Sequence, residues 1–248
     1  MDKVVKQGDR IAKVMARAGL CSRRDAEKWI LDGRVSVNGK AIDSPALNVL
    51  PSDRIIVDGK PMNKENMRET RLFRYNKPVG LVTSHKDEQG RQTVFESLPD
   101  NLPRLISVGR LDLNTQGLLL LTNDGELSRF MELPSTGWAR RYKVRAYGHI
   151  SQERLDDLKK GVTIEGVKYA GIDAKLEKQQ GDNAWMSITL KEGKNREIRR
   201  VMEYLGLRVN RLIRLSYGPF QLGNLAEGKV EEIKGKVLKE QLSGFFKK

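Results

Sequence analysis

Apolar residues at Ile11, Val14, Met15 and Ala18 recur at the i, i+3, i+4 and i+7 spacing of one helix face, and Gly19 supplies a stop. A second helical period begins at once. Ser22 and Asp25 stand three apart as a capping pair, Ala26, Trp29 and Ile30 give the inner face, and Gly33 ends it. The period then changes to two. Arg34-Val-Ser-Val-Asn-Gly-Lys40 alternates into an Asn-Gly turn and Arg54-Ile-Ile-Val-Asp-Gly-Lys60 into an Asp-Gly turn, so each predicts a hairpin. Two short helices and a small hairpin sheet make one compact module.

Residues 61–71 have few apolar positions and no steady period, which predicts a linker. Beyond it the pattern predicts strands over 72–75, 80–83, 105–108, 117–122, 142–147, 184–190 and 207–215. Helices are predicted over 125–131, 152–160 and 197–205, and the ending 245–248 reads as a tail. Strands separated by short helices and many turns point to an α+β class with a mixed, largely antiparallel sheet. The expected organisation is a small domain over 8–66 and a catalytic-sized domain over 71–240.

Composition narrows the partners. Among 248 residues, 46 Lys plus Arg outnumber 32 Asp plus Glu, for a net charge of +14. Such an excess argues for a polyanion, nucleic acid before an acidic membrane surface. The longest apolar run, Leu118 to Leu121, is far too short to span a bilayer, and Met1 to Gly8 lack the apolar core of a secretory signal, so a cytoplasmic protein is expected. One cysteine, Cys21, allows no internal disulfide or thiolate cluster, and two histidines, His85 and His149, argue against a histidine zinc site. No metal ligand is assigned.

Two stretches concentrate the charge. Arg17, Arg23, Arg24, Lys28 and Arg34 cluster at the helix-helix corner, where planar guanidinium forks suit phosphate oxygens. Between Lys191 and Arg214, eight basic residues face three acidic ones, among them Lys194, Arg196, Arg208, Arg211 and Arg214; this reads as a phosphate-lined groove. Within that stretch Asn195 is placed to cap a helix with the apolar stripe Ile198, Val201, Met202 and Leu205. Arg199 falls on the stripe's border, where it should be half buried and in want of a carboxylate.

Asp112 stands alone in a loop between two apolar strands, with Arg110 two residues before it and Thr115 three after. Arg110 and Asp112 point the same way in extended backbone, and the Thr115 hydroxyl could bond a carboxylate or a backbone amide. A metal site, a glycosidase carboxylate pair and a Ser-His-Asp triad all lack the companions they need. Two readings stay open: a polar turn capped by Asp and Thr, or a single carboxylate acting as nucleophile or electrostatic stabiliser among cations.

The motifs have a familiar look. Arg10 to Glu27 and Gly33 to Gly39 resemble the small alpha-L RNA-binding domain of the ribosomal-protein-S4 type, which implies binding of structured RNA. Gly109-Arg-Leu-Asp-Leu-Asn-Thr-Gln-Gly-Leu-Leu-Leu-Leu-Thr-Asn-Asp-Gly125 is similar to the signature of bacterial ribosomal-RNA pseudouridine synthases of the RsuA-like branch. Tyr75 to Thr83, Arg141 to Val144 and Glu192 to Arg200 resemble its other motifs. The resemblance implies a uridine whose C1′–N1 bond is cut and whose uracil is rejoined through C5, with no cofactor and no metal. It implies Asp112 as nucleophile or general base, Arg110 filling the gap left by the flipped nucleotide, Tyr142 stacking on the uracil and Arg199 pairing with the aspartate. Lys77 and Pro78 take a structural part, and Ile198 packs under the base. The implied partner is ribosomal RNA, of the large subunit (23S), free or in an assembly intermediate, bound by a monomer. Small-subunit (16S) RNA, a non-catalytic ribosome-assembly protein and a base-releasing nucleosidase are the alternatives.

Overall fold

Alternation, capping and turn chemistry decide the first of two units into which the chain divides. The computed structural model describes residues 8–64, 67 and 69–247. The first unit takes the described residues up to Thr70 with Asn101–Leu105 and Asn123–Gly125; the second takes Arg71–Asp100, Ile106–Thr122 and the rest from Glu126. In the first lie β1 (Asp9–Arg10), α1 (Ile11–Arg17), α2 (Arg23–Leu31), β2 (Val35–Val37), β3 (Lys40–Ala41), β4 (Asn48–Val49), β5 (Ile55–Val57) and β6 (Lys60–Pro61). The Ser22 hydroxyl accepts from the Asp25 amide at 3.1 Å and the Asp25 carboxylate accepts from the Ser22 amide at 3.3 Å, which is the capping box that the sequence predicts.

Strands order as β3-β2-β5-β6, all antiparallel. Both hairpins turn through left-handed pairs, Asn38-Gly39 at φ 51° and 82° and Asp58-Gly59 at 49° and 75°. Ile11, Met15, Ala26, Ile30, Val35 and Ile55 fill the core. Met62 is buried in that same core, Met67 packs against it, and the Lys64 ammonium donates to the carbonyls of Pro51 and Asp53. Residues 61–64 are therefore part of the module rather than linker. Two methionines separated by charged residues show no period, so the pattern hid them. Residues 65, 66 and 68 of the expected linker lie outside the described residues.

The second unit contains β7 (Leu72–Lys77), β8 (Ile106–Val108), β9 (Gln116–Thr122), α3 (Gly125–Glu132, whose first residue falls in the first unit), β10 (Arg140–Tyr147), α4 (Gln152–Asp156), β11 (Val162–Ile164) and β12 (Val167–Tyr169). Then follow β13 (Asp173–Gln180), β14 (Asn183–Leu190), α5 (Glu197–Tyr204), β15 (Arg208–Tyr217), β16 (Phe220–Gln221), β17 (Val230–Glu232), α6 (Gly235–Gln241) and α7 (Ser243–Phe246). One mixed sheet runs β13-β14-β10-β15-β9-β7-β17, with β16 on β15 and β8 on β9. Its pairings are antiparallel except β9 on β15, as the largely antiparallel expectation requires.

Two expectations fail, and one strand was not foreseen. Residues 80–83 form no strand: the Gly80 amide donates to Leu113 and only an isolated bridge joins Val82 to Thr93, because this segment follows the loop beside it rather than a sheet neighbour. β13 escaped notice because an edge strand reading Asp-Ala-Lys-Leu-Glu-Lys-Gln-Gln buries little. The first two residues of the expected tail close α7 instead, and Phe245 packs on Phe130 with ring centres 5.6 Å apart.

At the parallel junction two backbones approach closely. Gly117 of β9 pairs with Arg214 of β15 at φ +98°; a Cβ there would run into the Arg214 carbonyl oxygen and lie 2.9 Å from its amide nitrogen. Gly117→Ala is expected to destabilise the protein by more than about 2 kcal/mol. The urea unfolding midpoint measures this, and an unchanged midpoint would contradict so close an approach of the two strands.

Candidate active site

Lys77 closes β7 opposite Gly117 of β9, and its side chain is wholly buried. An ammonium has three protons to donate. Here they meet the carbonyl oxygens of Pro78 at 2.9 Å, Thr115 at 3.1 Å and Asp112 at 3.3 Å, with Leu113 at 3.5 Å. The loop after β8 is thus wrapped around one cation. The Thr83 hydroxyl also donates to Leu111 at 2.8 Å, and the Thr115 amide turns back to Asp112 at 3.0 Å. Burial pushes the Lys77 ammonium down to about 8, while the Asp112 charge pulls it back up. The structural part expected of Lys77 has a definite form: it fixes the backbone that carries Asp112.

Asp112 faces a cavity of about 650 Å³, a size that suits a nucleotide. Arg110, Leu111 and Thr115 line it from the same loop, Tyr142 from β10, Leu212 and Arg214 from β15, and Lys194, Arg196, Ile198 and Arg199 from α5 and the turn before it. Tyr142 and Arg214 are opposite one another in register. The sheet therefore brings together the three side chains singled out as catalytic, Asp112, Tyr142 and Arg199, with Arg110, Lys194, Arg196 and Arg214.

Arg214 is buried; its Nε donates to the Leu118 carbonyl at 2.7 Å and its guanidinium lies 5.3 Å from the Tyr217 ring centre. Arg199 donates to the carbonyls of Asn114 at 2.8 Å and Val209 at 3.2 Å. Among the described residues no ion pair joins it to Asp112, so the expected pairing is replaced by anchoring on backbone, and the aspartate acts on it through space. Burial lowers the Arg199 pKa, the Arg196 charge adds to that, and Asp112 opposes both. Thr115 Oγ1, Arg199 Nε, Arg214 Nη2 and Glu197 Oε1 are buried without a hydrogen-bond partner, and all four residues border the cavity. The Thr115 hydroxyl thus does not make the bond expected of it. Buried polar atoms normally find partners, so their gathering at one cavity marks a place built to receive polar groups.

Asn195 does not cap α5. Arg196 takes the cap position at φ +52°, and the Glu197 carboxylate accepts from the Lys194 amide at 2.9 Å. Glu197 is buried, which raises its pKa, and sequence reasoning missed it; its signal was adjacency to Ile198 at the start of the apolar stripe.

Other basic candidates lie elsewhere. Arg208 and Arg211 are exposed on the side of β15 away from Arg214. In the small module Arg23, Arg24 and Lys28 are exposed along α2. Arg34 there makes a two-pronged pair with Asp58, and Arg17 bonds the buried Asp124 carboxylate at 3.3 Å.

Comparison with known proteins adds independent findings. The RNA pseudouridylate synthase family matches residues 71–204, and the S4 domain family matches residues 9–55. A Rickettsia felis protein named uncharacterized RNA pseudouridine synthase is 52% identical over 231 residues, covering 93% of this chain and 99% of the relative. Ribosomal large subunit pseudouridine synthase B of Salmonella typhimurium is 43% identical over 218 residues, 86% of this chain and 75% of the relative. A crystal structure of a pseudouridylate synthase superposes with a TM-score of 0.64 at 27% identity, covering 94% of this chain and 99% of that one.

Lys77→Met keeps the length of the side chain and removes every donor. It is expected to take this donor from the Pro78 and Thr115 carbonyls, while those of Asp112 and Leu113 keep the Thr115 and Gly80 amides, and to cost about 2–4 kcal/mol. The unfolded chain holds the Lys77 proton up to about 10.5, whereas the folded chain releases it near 8. Between those values the unfolded state binds more protons, so the contribution of Lys77 to stability rises with pH, and below pH 8 it is flat. The stability difference between wild type and Lys77→Met should widen by about 2 kcal/mol from pH 7.5 to pH 9.5. Urea titrations at the two pH values check this; a constant difference would refute it.

Proposed function

The chain belongs to the RNA pseudouridine synthase family, and on that premise we propose that it converts one uridine of large-subunit ribosomal RNA to pseudouridine in the cavity beside Asp112. The observation that carries the reading is the placing of the Asp112 carboxylate, on a loop locked from beneath by Lys77, in a cavity where Arg110, Arg140, Lys191, Lys194, Arg196, Arg199 and Arg214 outnumber the other acids, Glu132, Glu192 and Glu197. One carboxylate serves an isomerisation, because the detached base never leaves. The C1′–N1 bond breaks, the uracil turns, and C5 bonds to C1′; C5 loses a proton and N1 gains one, so the balance closes within the nucleotide.

Asp112 acts at the sugar, as nucleophile or general base. Extruding a base from a folded RNA costs a few kcal/mol. Arg110, exposed at the cavity mouth, takes the vacated place, and Tyr142, fixed in the wall, is the aromatic platform for the uracil. Arg199 Nε, Arg214 Nη2 and the Thr115 hydroxyl are donors for the oxygens of the flipped nucleotide, and Ile198 packs under the base. Lys194 and Arg196 hold phosphates at the rim, and Arg23, Arg24 and Lys28 hold RNA on the small module. The small domain we assign is 8–66; the catalytic domain begins at 71 and runs past the expected limit of 240, since α6 reaches Gln241 and Phe245 of α7 packs on Phe130. The large-subunit target rests on the name of the relative from Salmonella typhimurium. Among the described residues no helix is long and apolar enough to cross a membrane; a monomer acting in the cytoplasm fits this reading.

Asp112→Asn keeps the shape and removes the charge. Incubated with unmodified bacterial ribosomal RNA, the variant should form no pseudouridine while binding RNA nearly as well as the wild type. Carbodiimide adducts mapped by primer extension report the product and its position. Product at the wild-type rate would remove Asp112 from the reaction, and a stop in small-subunit RNA would correct the target.

A further inference from the structure

The sheet has a second chemically distinct face. Alternation along β10 turns Tyr142, Val144 and Ala146 inward, where they are buried, and turns Lys143, Arg145 and Tyr147 outward. Register carries the division across the strands. Arg145 lies opposite Trp185 of β14 and Arg211 of β15, Tyr147 lies opposite Arg208, and Lys178 of β13 flanks Trp185 from the other side. Leu212 and Arg214 belong to the inward set and line the cavity. Arg208 and Arg211, which the sequence groups with Arg214, therefore stand on the opposite face.

On that face charge and aromatic surface alternate. The Lys143 ammonium and the Arg145 guanidinium lie 5.4 and 5.7 Å from the Trp185 ring centre, and Arg208 lies 5.5 Å from that of Tyr147. Tyr147 is 47% exposed, and Arg145, Lys178, Arg208 and Arg211 are exposed with it. The acids that strand register places there are Glu177, 3.8 Å from Lys143, and Asp173 at the far end of β13.

We propose that this outward face of β13, β14, β10 and β15 is a docking surface for a single-stranded segment of the substrate RNA, apart from the cavity where the target uridine reacts. The proposal rests on the RNA-modifying function above and adds a second place of contact to it. Cations meet phosphates of any RNA, but exposed rings take part only where bases are free to stack, at about 1–3 kcal/mol per base. A duplex hides those base faces, so the exposed Tyr147 ring favours an unpaired strand.

The test compares full-length wild type with two charge-removal triples, Lys143→Gln/Arg145→Gln/Lys178→Gln on this face and Lys168→Gln/Lys236→Gln/Lys239→Gln elsewhere. Binding of a fluorescent twelve-nucleotide oligouridine is followed by anisotropy from 50 to 200 mM salt, with thermal unfolding confirming that each protein is folded. The face triple should bind at least about tenfold more weakly and lose about two from the slope of log affinity against log salt, at about 0.7 per lost contact. The second triple should lose much less. Equal losses in both triples would reduce the effect to net charge and overturn the proposal, as would a larger loss on a twelve-base-pair RNA duplex than on oligouridine. Crosslinking of 5-bromouridine RNA to the wild-type protein needs no variant: peptides carrying Tyr147 or Trp185 should be labelled, and their absence would also overturn it. If the wild type forms no pseudouridine in ribosomal RNA, the proposed function fails while the binding result stands by itself.

Discussion

A buried ammonium holds the site together. Lys77 has no water to solvate it, so its charge is tolerable only while several carbonyl oxygens surround it. The chain provides them by folding Pro78 and the stretch from Asp112 to Thr115 around Nζ. Each partner limits the other: without the loop the lysine is a stranded charge, and without the lysine the Pro78 and Thr115 carbonyls lose their donor. Because Lys77 ends β7 and Gly117 lies across from it near the start of β9, the register of the sheet fixes the height at which Asp112 enters the cavity.

The same reasoning extends to the parallel junction. Gly117 lets β15 come close enough for Arg214 to be buried with its Nε on the Leu118 carbonyl. A larger residue would push apart the strand that carries the guanidinium and the loop that carries the carboxylate. The period of two then divides β15 and β10 between uses. Arg214 and Tyr142 serve the cavity, while Arg208, Arg211 and Arg145 reach the other side.

Elements with a strong local signal were legible in the sequence. The capping pair Ser22 and Asp25, the left-handed turns at Asn38-Gly39 and Asp58-Gly59, and the stripe Ile198, Val201, Met202 and Leu205 all follow from chemistry within a few residues. Features set by distant neighbours were not. Met62 shows no period yet is buried, Glu197 stands among charges yet turns inward, and Arg199 anchors on Asn114 and Val209 where a carboxylate was expected. The cationic count from Lys191 to Arg214 was right as a sum, but a sum carries no direction, and the two sides of β15 separate only when its register is known. The family signature singled out Asp112; the lysine 35 residues earlier that holds its backbone is visible only in three dimensions.

The unpartnered atoms around the cavity complete the physical picture. Thr115 Oγ1, Arg199 Nε, Arg214 Nη2 and Glu197 Oε1 each forgo a hydrogen bond, a cost of about 1–3 kcal/mol apiece in a protein interior. A fold selected for stability alone would satisfy them or replace them with apolar groups. Their backbone is nonetheless held firmly, by Lys77 under the loop and by strand pairing under Arg214, so they have little freedom to turn and pair with one another. Donors and an acceptor fixed in advance around the Asp112 carboxylate lose little when a polar ligand meets them, because the ordering has already been done in folding. Stability given up at these four atoms is what is expected of a site organised for reaction rather than for cohesion.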